Sequence, residues 1–347
     1  MSKQQKLTHT LVSFLMGVLV FGVYNEWRQL NVSKTDFFAS YVVPITSRNN
    51  KTSSQNTTRL PMIIPYNLSG PIPIEHPMNC TVTKSTPPFQ VCVHPANEDI
   101  FISSAILKSG TFEALYNQWI KRMSDEYPGA TFLDAGANIG IYALYAAMLR
   151  LPVLAIEPST LNIPHLQLSA SLNGLSDRIT LLPYALSDNR TEYTMTKDPT
   201  NNGHTYIIKK SRDLLKPMKF RIKVQSVLLD DLIEFVHTDS VLMKVDVEEH
   251  ECNVIRGGRR FLTHFNVPYI LMEWLFVDKA ETDCRDEMFE ILTNFGYTTF
   301  DMIGRRVNLN ETFGGHDVIW PAYNYKLSTK DEIVIAGVVT ALEAYCD

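Results

Sequence analysis

Neither sign of charge dominates this chain: 37 acidic side chains stand against 32 basic ones, a formal net charge of −5. That balance excludes a broadly basic nucleic-acid binder. Cysteine is scarce at five residues, too few for a disulfide scaffold. No metal-ligand spacing joins the cysteines to His94, His165, His204, His237, His264 or His316. The pyrophosphate fingerprint Gly-x-Gly-x-x-Gly is missing as well, which disfavours NAD and FAD. Charged residues make up only 20% of the chain against 45% hydrophobic ones, so it is not a disordered chain. With 347 residues there is material for one large domain or two ordinary ones.

Long apolar runs are absent except for one at the start. Leu7 to Asn25 carries no formal charge and is bounded by Lys6 and Glu26. Nineteen helical residues rise roughly 28 Å, about the thickness of a bilayer core. Tyr24 and Trp27 stand where an interfacial aromatic belt falls, and Lys3 with Lys6 holds the N-terminus in the cytoplasm. A cleaved signal peptide is the rival reading, but Tyr24-Asn-Glu-Trp-Arg28 offers no small-x-small cleavage site. The expectation is a tail at residues 1–6, an anchor at 7–27 and a lumenal remainder.

Residues 31–60 contain fourteen Ser, Thr or Asn, and residues 61–95 hold eight of the eighteen prolines. Neither stretch keeps a period of 2 or 3.6, so residues 28–97 are expected to form a largely irregular stem. Seven Asn-x-Ser/Thr sequons begin at Asn31, Asn50, Asn56, Asn67, Asn79, Asn189 and Asn310, five of them in that stem. Cys80 and Cys92 flank the junction in a compartment that permits a bridge. Cys252 and Cys284 read as small buried residues. The odd cysteine total leaves at least one unpaired within the chain.

From residue 98 to 347 strand and helix patterns alternate. Phe112, Leu115, Tyr116, Trp119, Ile120 and Met123 define an amphipathic helix, and Cys284, Met288, Ile291, Leu292 and Phe295 define another. Strand-like runs fall at 131–135, 153–156, 179–186, 241–247, 269–273, 297–302 and 316–320. Such alternation predicts an α/β domain, a mainly parallel sheet with helices on both faces. Its ligand sits beyond the carboxyl ends of the strands.

Two post-strand loops carry chemistry. In Thr131-Phe-Leu-Asp-Ala-Gly-Ala-Asn-Ile-Gly140 a strand, an acid and a glycine turn precede an apolar helix. Gly136 and Gly140 are expected to let backbone approach a ligand. Asp134 suits a cation such as S-adenosylmethionine, and Glu157 can accept ribose hydroxyls. The bland alternative is a glycine turn that binds nothing. In Val241-Leu-Met-Lys-Val-Asp-Val-Glu-Glu-His-Glu251, Lys244, Asp246 and Glu248 alternate and are expected to share a face. Helix-start acids account for Glu249 and Glu251 but not for Lys244 or Asp246.

At these residues the chain resembles the FkbM family of S-adenosylmethionine-dependent O-methyltransferases. The resemblance runs through Asp134-Ala-Gly-Ala-Asn-Ile-Gly140, Glu157-Pro158, Asn173-Gly174, Ala185-Leu-Ser-Asp188, Leu229-Asp-Asp-Leu232, Lys244-Val-Asp-Val-Glu248, His250-Glu251, Gly257-Gly258 and Met272-Glu273, in order across residues 98–303. It implies a Rossmann-like class I fold. It further implies a cofactor loop of Asp134, Gly136, Asn138 and Gly140, with Glu157 on the ribose and Asp188 near the adenine. Asp246, then Glu248, then His250 rank as proton acceptors, and Lys244 could steady an alkoxide. The family pattern has glycine where Glu249 stands.

Together these features lead to the expectation of a single-pass type II O-methyltransferase of the Golgi or another secretory membrane. Its acceptor would be a glycan or another hydroxyl-bearing glycoconjugate. Its partners would include the lipid bilayer through one helix, and no nucleic acid. Two alternatives stay open. One is an inactive binding or trafficking module, which Glu249 favours. The other is a glycosyltransferase reading Asp246-Val-Glu248 as its metal motif.

Overall fold

The computed structural model describes residues 62–73, 78–198, 201–208, 220–274, 282–306 and 316–322. The expected anchor at 7–27 lies outside them. Among the described residues no helix is long and apolar enough to cross a membrane.

A hairpin of β1 (Asn79–Val82) and β2 (Gln90–Val93) comes first, its partners Cys80 and Cys92 joined by a disulfide. Helices α1 (Ile102–Ser109) and α2 (Ala114–Glu126) follow, then β3 (Thr131–Ala135), α3 (Ile141–Met148), β4 (Val153–Ile156), α4 (Ile163–Leu172) and β5 (Ile179–Leu182). Next are the short β6 (Ala185–Ser187), β7 (Glu192–Asp198), β8 (Asn201–Ile207) and β9 (Ile222–Leu228). The chain then returns through β10 (Ser240–Val245), α5 (Glu251–Arg256), α6 (Arg259–His264), β11 (Asn266–Trp274), α7 (Thr282–Asn294), β12 (Phe300–Asp301) and β13 (His316–Pro321).

Seven strands form the main sheet in the order β12-β13-β11-β10-β3-β4-β5. Neighbours from β11 to β5 pair in parallel, while β13 runs antiparallel to β11, so the sheet is mixed. Every residue of β3 and β4 is buried, as befits strands covered on both sides. Their side chains alternate between two cores. Phe132, Val153, Ala155, Leu242, Tyr269 and Leu271 join one cluster with α1 to α4. Leu133, Leu154, Met243, Ile270 and Met272 join the other with α5, α6 and α7.

The expected domain start at 98 is too late. The chain's second compact unit begins at Pro61. Leu68, Phe89, Val91 and Val93 belong to the first core. Tyr66 bridges Leu181, and Cys92 N donates to Ser169 Oγ at 2.8 Å. The proline-rich segment lacks periodicity because it packs as single anchors rather than as one continuous element.

Cys252 and Cys284 also depart from expectation: they are bonded, tying α5 to α7. Their sequence separation of 32 has no signature, and the adjacency arises only when both helices lie on the same face.

Candidate active site

Strand order reverses between β3 and β10, because β4 and β5 continue to one side and β11 to the other. That is the switch point where ligands of open α/β sheets bind. The register sets Lys244 beside Asp134 across it. Lys244 is only 2% exposed, and its Nζ donates to the Gly136 carbonyl at 2.9 Å. The same nitrogen lies 3.3 Å from Asp134 Oδ1, 3.3 Å from Asp246 Oδ2 and 5.2 Å from the centre of the Tyr142 ring. Burial alone would lower the Lys244 ammonium, but Asp246 and Asp134 hold it above its usual range. Burial raises Asp134 in turn, and Lys244 opposes that rise.

Asp134 is fully buried and turns to Lys244, so it is not a surface contact for a cationic ligand. Gly136 and Gly140 likewise serve packing first. Both have φ near +80 to +88°, and a Cβ on Gly136 would overlap the Asp246 carbonyl oxygen. A Cβ on Gly140 would sit 2.6 Å from Leu166 Cγ. The glycines therefore let the two chemistry-bearing loops and α4 close on one another.

Glu157 follows β4 and is 4% exposed. Its Oε2 accepts the Asn138 amide at 2.7 Å, and Oε1 accepts the Ser159 amide at 2.8 Å. Oε1 also accepts from Asn162 Nδ2 at 3.4 Å; burial pushes the carboxyl to about 7, against those bonds, and Oε2 keeps a lone pair for a ligand.

Beyond β10 the chain turns sharply. Glu248 and Glu249 have φ of 55° and 66°, a left-handed pair. Glu248 is thus turned off the strand rather than continuing the alternation expected of it, and its Oε2 lies 3.0 Å from His204 Nε2 on β8. His250, 5% exposed, shares a 3.1 Å hydrogen bond through Nε2 with Ser187 Oγ. Buried Glu251 accepts the Val247 amide at 2.9 Å, and burial raises it to about 8. Glu273 lies near the end of β11, and burial, with Asp246 next in effect, drives it to about 10. Oxygens of Asp246, Glu251 and Glu273 lie within 4.8 Å of one another, a spacing that could hold a divalent cation. Protonation of Glu251 and Glu273 relieves the same crowding without one.

These loops surround a cavity of about 520 Å³. Gly136, Asn138 and Glu157 line one part, while Lys244, Asp246, Glu248 and His250 line another. Asp134 and Gly140 lie behind the wall. Asp188 is also absent from the lining; its Oδ2 takes a 3.0 Å ion pair from Arg256, and Tyr184, Ala185 and Leu186 face the cavity instead.

Four lining residues escape the sequence reading. Glu113 meets the Tyr142 hydroxyl and is raised to about 7 by burial. His204 and Tyr206 come from the β7–β8 hairpin, which stands outside the main sheet. Glu273 falls within a recognised sequence block that assigns it no role. The period-2 pattern Ile222, Val224, Ser226 was the available signal for the hairpin's neighbour β9. Glu113 remains exposed by surface area, and nothing local marks it as a partner of Tyr142.

Fold and site together define an α/β methyltransferase-like protein. Residues 134–299, just under half of the chain, match the methyltransferase FkbM domain. No curated protein matches the chain. Among solved structures, the methyltransferase FkbM of Methylobacillus flagellatus KT is similar, with 18% identity and a TM-score of 0.36 over 56% of this chain. The chain spans only 43% of that protein's length. A SAM-dependent methyltransferase of Agrobacterium tumefaciens shares 11% identity at a TM-score of 0.40, covering 72% of each chain. A human methyltransferase 10 domain-containing protein shares 13% at 0.33, covering 60% of this chain and 80% of its own. Likenesses this distant do not bear on substrate.

Proposed function

We propose that the chain is an S-adenosylmethionine-dependent O-methyltransferase that acts on a hydroxyl of a secretory-pathway glycan or glycoconjugate. The observation that carries this reading is the cavity at the β3/β10 switch point, which sets Glu157 on one side and the Lys244–Asp246 pair on the other. Its residues fit the cofactor. Asn138 and Glu157 offer a backbone turn and a carboxylate whose Oε2 has a lone pair to spare, and the acid-rich wall suits a sulfonium and an amino group. The volume lies within the range of small-molecule sites.

S-adenosylmethionine supplies an electrophilic methyl group. The protein's part is to align an acceptor hydroxyl and take its proton. Asp246 stands first for that task, since its carboxylate lines the cavity and is held at 3.3 Å by Lys244. Lys244, enclosed by Asp134, Asp246 and the Gly136 carbonyl, serves here by holding the Asp246 carboxylate in place. Glu248 and His250 are engaged by His204 and Ser187 and rank behind it.

Secretory placement has independent support. Two disulfides lie within the described residues, as expected of an oxidising compartment. Asn67, Asn79 and Asn189, each starting a sequon, are exposed.

The test uses the full-length chain in detergent. Calorimetry should show S-adenosylmethionine binding, and radiolabelled methyl should pass to secretory glycans. Asp246→Asn should keep cofactor binding and lower transfer by roughly 10²–10⁴-fold. A folded chain that binds no cofactor would leave the binding-module alternative in its place.

A further inference from the structure

The cavity's second half has a charge character that narrows the acceptor, provided the methyltransferase reading holds. Alternation along the strands puts Asp134, Lys244, Glu273 and Asp317 on the face shared with Phe132, Leu242, Leu271 and Ile319. Glu273 and Asp317 are register partners on β11 and β13, on the far side of β10 from Glu157. Glu113 joins this half through Tyr142, whose ring lies under the Lys244 ammonium. Four carboxyl groups therefore line it: Glu113, Asp246, Glu248 and Glu273.

Against them stands one Lys and no Arg among the described lining residues. That Lys is spent, because Lys244 is 2% exposed and already faces Asp134, Asp246 and the Gly136 carbonyl. His204 is likewise committed to Glu248 at 3.0 Å. An acceptor bearing sulfate, phosphate or carboxylate would meet the carboxylates of Asp246 and Glu248 with no uncommitted cation among the described lining residues, while Glu273, raised to about 10 by burial, stays protonated. A hydroxyl-rich acceptor meets the opposite situation, since every ionised carboxylate accepts hydrogen bonds from hydroxyl donors.

We infer that this half of the cavity admits hydroxyl-rich acceptors without anionic groups and rejects sulfated, phosphorylated or carboxylated ones. Glu113 and Glu248 are the specificity-determining residues, because neither is needed to hold Lys244.

The experiment incubates the full-length chain with radiolabelled S-adenosylmethionine and total secretory glycans, then separates the products by anion exchange. Label should appear in the neutral fraction, with transfer to anionic glycans at least about 100-fold weaker, given the cost of opposed like charges. The double variant Glu113→Gln/Glu248→Gln should narrow that gap tenfold or more. Label concentrated in the anionic fraction, with cofactor binding intact, overturns the inference and spares the methyltransferase reading. If no fraction is labelled, the glycan reading fails and charge preference is read directly. Thermal shifts of the cofactor-loaded chain are then compared for maltotriose and maltotriose sulfate. Equal stabilisation of the wild-type chain by both overturns the inference, and stabilisation by the neutral sugar alone upholds it.

Discussion

Four residues carry backbone cost at this site: Glu113, Asn138, Glu248 and Glu249 all hold left-handed φ. In that region an L side chain loses roughly 1–2 kcal/mol. A glycine at position 249 would answer a conformational need that this chain meets with strain. Glu249→Gly should raise the melting temperature by about 2–4 °C, the shift that 1 kcal/mol produces in a domain of this size. A fall in melting temperature would mean that contacts of the Glu249 side chain outweigh its backbone cost. The Asp134–Lys244 pair behaves differently because both groups are buried. Removing one charge strands the other, so Asp134→Asn should destabilise by about 3 kcal/mol or more in denaturant unfolding. A change within 1 kcal/mol would show that Asp246 alone satisfies Lys244.

At the scale of elements, the Cys252–Cys284 bond joins the helix that begins beside His250 to α7. Closing a loop of 32 residues constrains the unfolded chain by about 3–4 kcal/mol. Cys284→Ser should lower stability by that order, and thiol titration of the unreduced, denatured chain should find no more than one reactive cysteine of the five. Finding three or more would refute the pairing. Elements of the main sheet were legible because buried parallel strands read as apolar runs and their helices keep a 3.6 period. Thr131–Ala135 and Val153–Ile156 emerge with those bounds. The hairpin of β7 and β8 was not, since polar Thr196, Asn201 and Thr205 are buried along with Met195 and Ile207, which leaves little hydrophobic contrast. The two loops at the switch point were legible as chemistry, yet their internal division of labour was not. Asp134 and Asp246 look alike in sequence, and only the register, which buries one and leaves the other lining the cavity, separates them.

For the whole molecule, the buried ionisable groups set an expected pH of greatest stability. Glu113 and Glu157 rise to about 7, Glu251 to about 8 and Glu273 to about 10, chiefly through burial. A carboxyl raised in the fold binds more protons folded than unfolded, so each group removes stability as pH climbs from its ordinary value near 4.5 through its folded one. His94 and His165 act oppositely. Burial lowers both, His165 to about 4, so stability falls as pH drops below their unfolded value of 6.5. Above that value the histidines contribute no slope while all four carboxyls still do. Below it, the two histidines offset only part of the carboxyls' slope. Stability should therefore peak well below neutrality, toward the ordinary carboxyl value near 4.5, and decline through the interval from about pH 6.5 to 8. Melting curves of the full-length chain across that interval decide it: the midpoint should fall steadily toward pH 8. A midpoint that rises there would mean that Glu251 and Glu273 are held ionised, as a bound divalent cation among Asp246, Glu251 and Glu273 would hold them. Adding a chelator at pH 8 would then lower the midpoint, and only in that case.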